Sequence, residues 1–270
     1  MSLINSIWLG IVQGLAEFLP ISSSAHLTLF SEWLNVDLGG DMISLFVVLL
    51  HVGTLLAVLI CYRKRVWLMI RHPLLSEFKW LVVATVPTVI YAVLKPDSFD
   101  ALERTLMPFS FLFTALILYI GEYVSRMREL SENTHKKVKW YDALAMGFMQ
   151  IIGTLPGVSR SGSTLFGGLA TGLTRKSTAD FCFLMSIPAV CGAALLDAYE
   201  IVKSPAGFST LGEIGGMQIL VGIATAAVCG IIAIKFMLML LKKLSLKWFS
   251  LYMGIMGIVL ILNDFMFHWW

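Results

Sequence analysis

"EFLPISSSAH", residues 17–26, interrupts an apolar stretch near the start of the chain. The run halts at Glu17 and Pro20, presents Ser22, Ser23 and Ser24 in succession, and then offers His26. A second interruption of similar character, "TLPGVSRSGST", occupies residues 154–164. These two breaks decide the fold because their surroundings are hydrocarbon-like. Of 270 residues, 58% are hydrophobic and 14% charged, with mean hydropathy +0.83. A soluble domain carries about 25% charged residues. Segments 42–62, 78–95, 105–124, 180–200, 217–241 and 247–266 are nearly free of charge and about as long as a membrane-crossing helix. Lipid offers no partner to open backbone groups, so helix is the expected state throughout.

The breaks divide two further regions, 3–35 and 141–174, into paired apolar arms. An arm of about 15 residues is about 22 Å long as a helix, short of the hydrocarbon thickness. Each region is therefore expected to be a re-entrant hairpin that returns to the face it entered. Loop charges fit this layout. Arg63–Arg65 with Arg71, the linker 125–140 with five bases (Arg126, Arg128, Lys136, Lys137, Lys139), Arg175 with Lys176, and Lys242, Lys243 and Lys247 form the basic connections. The stretches 35–41, 95–104 and 200–216 are acidic or mixed. With every basic connection in the cytoplasm, six spans alternate, the first hairpin enters from outside and the second from inside. Both chain ends then fall outside.

The expected fold is thus an all-α polytopic membrane protein, a single membrane domain over 1–270. Residues 1–124 form one repeat (hairpin 3–35 and three spans), 125–140 a cytoplasmic linker and 141–270 the second repeat (hairpin 141–174 and three spans). Three spans reverse orientation, so the repeats are inverted, as in many transporters. "GIVQGLAEFLPISSS" (10–24) aligns with "GFMQIIGTLPGVSRS" (147–161), pairing Gly10 with Gly147, Gln13 with Gln150 and, after one deletion, Pro20 with Pro156. The net charge of +3 is small and lies in loops, which argues against nucleic-acid binding. Residues 3–19 lack a basic leader and a small-residue cleavage site, so no cleavable signal peptide is expected. Cys61, Cys182, Cys191 and Cys229 make no CxxC pair and read as packing thiols.

Hairpins entering from opposite faces would bring their tips together inside the bilayer. Ser22, Ser23 and Ser24 stand at the start of one second arm, and Ser159, Ser161, Gly162 and Ser163 at the start of the other. Helix N-termini there would favour a phosphate, and Arg160 could hold two of its oxygens. Taken alone, the serines could be caps, His26 a core histidine, and His51 a packing residue of its span. Burying an unpaired guanidinium costs at least about 2.5 kcal/mol, so Arg160 needs an anion; that could be a ligand or simply Glu17. An acid, hydroxyls, a base and a guanidinium converging on one buried point suit phosphoryl chemistry. Glu17, with Gln13 one turn before it, could serve a divalent cation. A transporter or flippase of an anionic polyprenyl phosphate lipid is the competing expectation, because fold does not fix function.

"QGLAE" (13–17) with "FLPISSSAH", and "PGVSRSGST" (156–164), resemble the two signature regions of the undecaprenyl pyrophosphate phosphatases, the bacitracin-resistance family. The resemblance implies an enzyme of the bacterial inner membrane that removes the terminal phosphate of undecaprenyl pyrophosphate, regenerating the carrier lipid for peptidoglycan synthesis. It implies six spans and two hairpins, a site opening to the outer face, and a divalent cation, Mg²⁺ or Ca²⁺. A homodimer is also allowed for. Carried to matching positions, Glu17 is the essential acid, assisting a metal or orienting the base, and Ser23 and His26 are nucleophile or base candidates. Arg160 clamps the pyrophosphate, with Ser159, Ser161 and Thr164 as further phosphate contacts; Ser22 and Ser24 join them on the reading of the first break as a helix N-terminus. Gln13 stands where many relatives have a second glutamate, and Ala25 where glycine is common.

Overall fold

The structure, a computed structural model, describes residues 1–36, 41–94, 103–203, 215–243 and 245–263. Among these residues the chain is helical, apart from connecting turns and one isolated bridge between His135 and Leu173. In order the helices are α1 Leu3–Ala16, α2 Ser23–Trp33, α3 Asp41–Cys61, α4 Arg63–Arg71, α5 Phe78–Leu94, α6 Glu103–Leu130, α7 Trp140–Ile152, α8 Arg160–Thr171, α9 Arg175–Lys203, α10 Gly216–Lys243 and α11 Lys247–Leu262. The six apolar segments fall on α3, α5, α6, α9, α10 and α11. Residue 95 and residues 264–266 of those segments lie outside the described residues, as do residues 37–40, 95–102 and most of 200–216 of the acidic or mixed loops.

Thr105–Leu130, Arg175–Leu196 and Gly216–Leu241 are each long and apolar enough to cross a membrane. α3 bends by 81° into α4, while α5 and α11, with 17 and 16 residues, are shorter. The protein is a multi-pass helical membrane protein. α6 runs past the expected boundary at 124 into the linker. Polar pairs one turn apart support that extension: Arg126 Nε donates to Glu122 at 2.9 Å and Ser125 Oγ to Glu129 at 3.2 Å. Arg175 reaches both acids from α9, at 2.7 Å to Glu122 and 2.9 Å to Glu129.

These polar contacts gather helix ends on one face. Tyr62, at the end of α3, donates to Asp180 in the first turns of α9 at 2.7 Å. Arg65 joins the same acid at 3.2 Å and Glu77, just before α5, at 2.5 Å. The Leu246 backbone, entering α11, donates to Glu122 near the end of α6 at 3.0 Å. Arg128 Nη2 caps the α8 carbonyl of Ala170 at 2.7 Å. His135, which has no constellation in sequence, pairs with Asp142 of α7 at 2.8 Å. So α7 begins and α8 ends on this basic face. The start of α10 lies elsewhere: Gln218 Nε2 donates to the Met1 carbonyl at 3.4 Å, and Met1, Leu34, Val36 and Ile219 flank one apolar cluster. α1 therefore begins, and α2 ends, near the start of α10.

α1 packs on α10, α7 on α5, α3 on α9, and α6 on α11. Small residues let the backbones approach, as in membrane helix pairs generally. A Cβ on Gly10 would meet the Gly222 carbonyl of α10 at 2.8 Å, and one on Gly14 the Ala226 carbonyl at 2.6 Å. A Cβ on Gly147 would collide with the Ala84 carbonyl of α5. Between the helix bundles, Phe18, Phe183 and Tyr62 are all buried. Phe183 meets Phe18 edge-on at 5.6 Å and tilts against Tyr62 at 6.4 Å.

Candidate active site

The first break is a turn built from its own residues. Glu17 keeps a helical bond, its N–H donating to the Gln13 carbonyl at 3.0 Å, so its side chain projects one turn beyond Gln13. Ser22 takes the left-handed backbone region, φ 68, an uncommon state for a residue with a Cβ. Its carbonyl receives the His26 N–H at 3.2 Å and His26 Nδ1 at 2.8 Å, which fixes the turn and starts α2. In the second break Gly157 supplies φ 76, a conformation glycine adopts freely. Ser159 then caps α8, its Oγ accepting from the Gly162 N–H at 3.1 Å.

The two breaks touch. Arg160 Nη2 donates to Glu17 Oε1, and Ser161 Oγ donates to the Leu19 carbonyl at 2.9 Å. On its other oxygen Glu17 accepts from Ser23 Oγ at 2.7 Å and Gln13 Nε2 at 3.0 Å. The Glu17 side chain is 4% exposed, that of Arg160 24%. A cavity of about 180 Å³ opens here, lined by Glu17, Ser22, Ser23, Ser24, Ser159, Arg160 and Ser161, together with His51. It is large enough for a phosphate group with its waters. Its wall offers a guanidinium, hydroxyls and the start of α8, a combination suited to an anion.

Not every expected residue faces this space. His26 Nδ1 must carry a proton, because the Ser22 carbonyl can only accept. Its Nε2 is engaged by the Tyr252 hydroxyl of α11 at 2.7 Å, and the ring packs on Tyr252 and Phe111. Both nitrogens of His26 are thus occupied away from the cavity. Thr164 is buried in α8, donating to the Arg160 carbonyl at 3.0 Å and lying 2.9 Å from Cys182 Sγ. Gln13 is fully buried behind Glu17. Ser159 and Ser161 lie 3.2 Å apart, and Ser22 and Ser24 3.4 Å.

His51, which reads from sequence as a packing residue of α3, lines the cavity instead. Its Nδ1 donates to the Val47 carbonyl at 2.8 Å, leaving Nε2 3.7 Å from Glu17 Oε2. The available signal was an ionisable side chain inside an apolar span, which marks a functional position by default. Nothing in sequence indicated which face of α3 would meet the breaks.

Among the described residues no cluster of three or more His, Cys, Asp or Glu could hold a metal ion. The protein oxygens nearest to that role are those of Glu17 and the buried Gln13 Oε1, which has no hydrogen-bond partner. Two such donors suit a hard cation that completes its shell with water and substrate phosphate oxygens.

Residues 6–259 match the family described as Bacitracin resistance protein BacA. The chain is 36% identical over 263 residues to an undecaprenyl-diphosphatase of Carboxydothermus hydrogenoformans, covering 97% of each chain. It is 36% identical over 271 residues to one of Halothermothrix orenii, covering 97% of this chain and 98% of the other. Against undecaprenyl-diphosphatase 3 of Bacillus cereus the identity is 34% over 267 residues, with 98% of each covered. A match over nearly the whole length, with both breaks inside it, means that the chain belongs to the bacitracin resistance protein BacA family.

Proposed function

We propose that this membrane protein hydrolyses undecaprenyl pyrophosphate to undecaprenyl phosphate and inorganic phosphate, recycling the carrier lipid for cell-wall synthesis. The observation that carries the reading is the Ser23 hydroxyl held 2.7 Å from the Glu17 carboxylate, opposite Arg160 in one buried cavity. A transporter needs a grip on phosphate but no hydroxyl bonded to a base, so hydrolysis is the reading this arrangement favours. Purified protein given a prenyl pyrophosphate and Mg²⁺ or Ca²⁺ should release phosphate. Arg160→Ala should abolish that release; undiminished activity would refute the site.

In the free site Arg160 and Glu17 satisfy each other. The diphosphate, carrying more charge than one carboxylate, takes over the guanidinium, and Glu17 becomes a free base. Ser23 Oγ attacks the terminal phosphorus, its proton passing to Glu17, while the bridging P–O bond breaks and undecaprenyl phosphate leaves. Water then hydrolyses the phosphoserine, regenerating Ser23. Arg160, the Ser159 and Ser161 hydroxyls, and Ser22 and Ser24 hold the phosphoryl oxygens. His51, its Nδ1 tied to Val47, presents Nε2 to the same space and can relay a proton. His26 and Thr164 act by holding the two breaks in shape. Gln13 and Glu17 would hold an accompanying Mg²⁺ or Ca²⁺, which when bound offsets phosphate charge.

The architecture proposed with this function is six crossings and two re-entrant hairpins in an inverted repeat, residues 1–124 and 141–270 about the linker 125–140. Several contacts support it. α3, α6 and α10 end on the basic face where α5, α9 and α11 start, the alternation six crossings require. α7 meets α5 through Gly147, as α1 meets α10 through the aligned Gly10; α3 with α9 and α6 with α11 are likewise counterparts. With the basic face in the cytoplasm of a cell membrane, both termini lie outside. The buried contacts of Phe18, Phe183 and Tyr62, which run from beside Glu17 toward the basic face, support a cavity that opens outward.

A further inference from the structure

A second polar cavity lies at the corner where α3 turns into α4, on the basic face, and no residue of the first cavity lines it. It has a volume of about 490 Å³, and its polar wall consists of Tyr62, Arg63, Lys64, Arg65, Lys176 and Lys235 with a single acid, Asp180. That acid is already saturated: it accepts from Tyr62 at 2.7 Å and Lys176 at 2.9 Å, and pairs with Arg65 at 3.2 Å. Among the described residues no carboxylate pairs with Arg63, Lys64 or Lys235. Three exposed cations thus line the hollow with no carboxylate partner among the described residues.

The same helix also carries apolar residues. Val66, Met69 and Ile70 of α4 line a groove of about 640 Å³ with α5 residues such as Leu81 and Val82. α4 is short, amphipathic and bent 81° away from α3, the form of a helix lying in a membrane interface. One helix therefore presents cations to one hollow and aliphatic side chains to another. A phosphate group with hydrocarbon attached satisfies both, whereas free phosphate satisfies only the first.

We propose that the α3–α4 corner binds the phosphate of an anionic phospholipid headgroup, with Arg63, Lys64 and Lys235 as its cationic contacts and the lipid tails lying along the apolar side of α4. The site shares no lining residue with the cavity at Glu17. It rests on the membrane setting of the chain and not on its phosphatase activity.

The test is native mass spectrometry of the full-length protein in detergent, counting retained lipid. Phosphatidylglycerol should be held about a hundredfold better than phosphatidylcholine by the unaltered protein, since each of the three bases near an anionic group contributes roughly a fivefold preference. Lys235→Gln should lower the preference about fivefold, and Arg63→Gln with Lys64→Gln should remove the remainder. Phosphate release from prenyl pyrophosphate should persist in these variants, which also certifies their folding. Equal retention of the two lipids by the unaltered protein would overturn the proposal without any variant. Displacement of phosphatidylglycerol by millimolar inorganic phosphate would reassign the site to a free anion and overturn the lipid assignment.

Discussion

Arg160, the first residue of α8, is hydrogen-bonded to Glu17, the residue that ends α1, although 143 positions separate them. Each side chain is placed by a break in its own helix pair, and neither break could hold its charged residue alone at this burial. The pair therefore couples the two halves of the chain at the cavity.

Replacing Glu17 by Gln should do two things at once. Loss of the base should lower turnover by about 10²–10⁴-fold, the usual contribution of general base catalysis. Leaving Arg160 without its anion should also lower stability by about 1–3 kcal/mol, below the 3–5 of a fully buried pair because the Arg160 side chain is 24% exposed. Phosphate release and thermal unfolding of the same preparation measure the two effects separately.

Ser23→Ala should separate them. The substitution removes one hydrogen bond, 2.7 Å to Glu17, worth about 1.5–3 kcal/mol with a charged acceptor. Turnover should nevertheless fall to the background rate. Rapid quenching of the unaltered protein with a labelled terminal phosphate should place label on Ser23. Label on His26, or none on any residue while Ser23→Ala remains active, would assign the attack elsewhere.

The two histidines should behave oppositely. His51→Gln should reduce turnover by about tenfold to a hundredfold with little change in unfolding temperature, because its one hydrogen bond is from Nδ1 to a carbonyl of its own helix and its Nε2 stands 3.7 Å from Glu17. His26→Ala should act mainly on stability. It removes bonds to Ser22 and Tyr252 and leaves a void beside Phe111. Tyr252→Phe should reproduce the milder part of that loss. A His26 variant of unchanged stability and no activity would contradict the assignment.

Much of this arrangement was legible before any coordinates. Helix was forced by apolar runs that lipid leaves no alternative, and the basic connections 63–65, 126–139 and 175–176 marked one face. The "PGVSRSGST" stretch identified Arg160 as a cation requiring an anion, and Glu17 was the acid within the other break. Which imidazole faces the cavity, and that Thr164 does not line it, was not legible. The orientation of His51 depends on how α3 rotates against α1 and α9, and that of His26 on Tyr252, 226 positions away. Such choices are made by packing between distant segments. The bend from α3 into α4 was equally hidden, since "CYRKRVW" reads as a simple span end.

Close packing of α1 on α10 should be as sensitive as the chemistry. A Cβ at residue 14 would lie 2.6 Å from the Ala226 carbonyl and 2.7 Å from Cys229 Cβ, both fixed on α10. Gly14→Ala should therefore push the helices apart and destabilise the protein by about 1–3 kcal/mol, the usual range for overpacking. Gly192, with nothing within 4 Å of its added Cβ, is the control: Gly192→Ala should leave the unfolding temperature unchanged. Equal behaviour of the two variants would refute the close contact.

Removal of divalent cations should stop phosphate release, and Mg²⁺ or Ca²⁺ should restore it. The protein alone should bind either ion weakly by calorimetry, because the proposed site offers only Glu17 and Gln13 among the described residues, and binding should strengthen when a diphosphate is present. Tight binding to the free protein would contradict the shared coordination.

The decisive measurement is the structure of the protein bound to a prenyl methylene-bisphosphonate, an analogue whose bridge cannot be hydrolysed. The expected result is a terminal phosphonate between the two breaks, with Arg160 drawn from Glu17 onto its oxygens and Ser23 Oγ facing the phosphorus. A ligand bound elsewhere, with the Arg160–Glu17 pair intact, would contradict it.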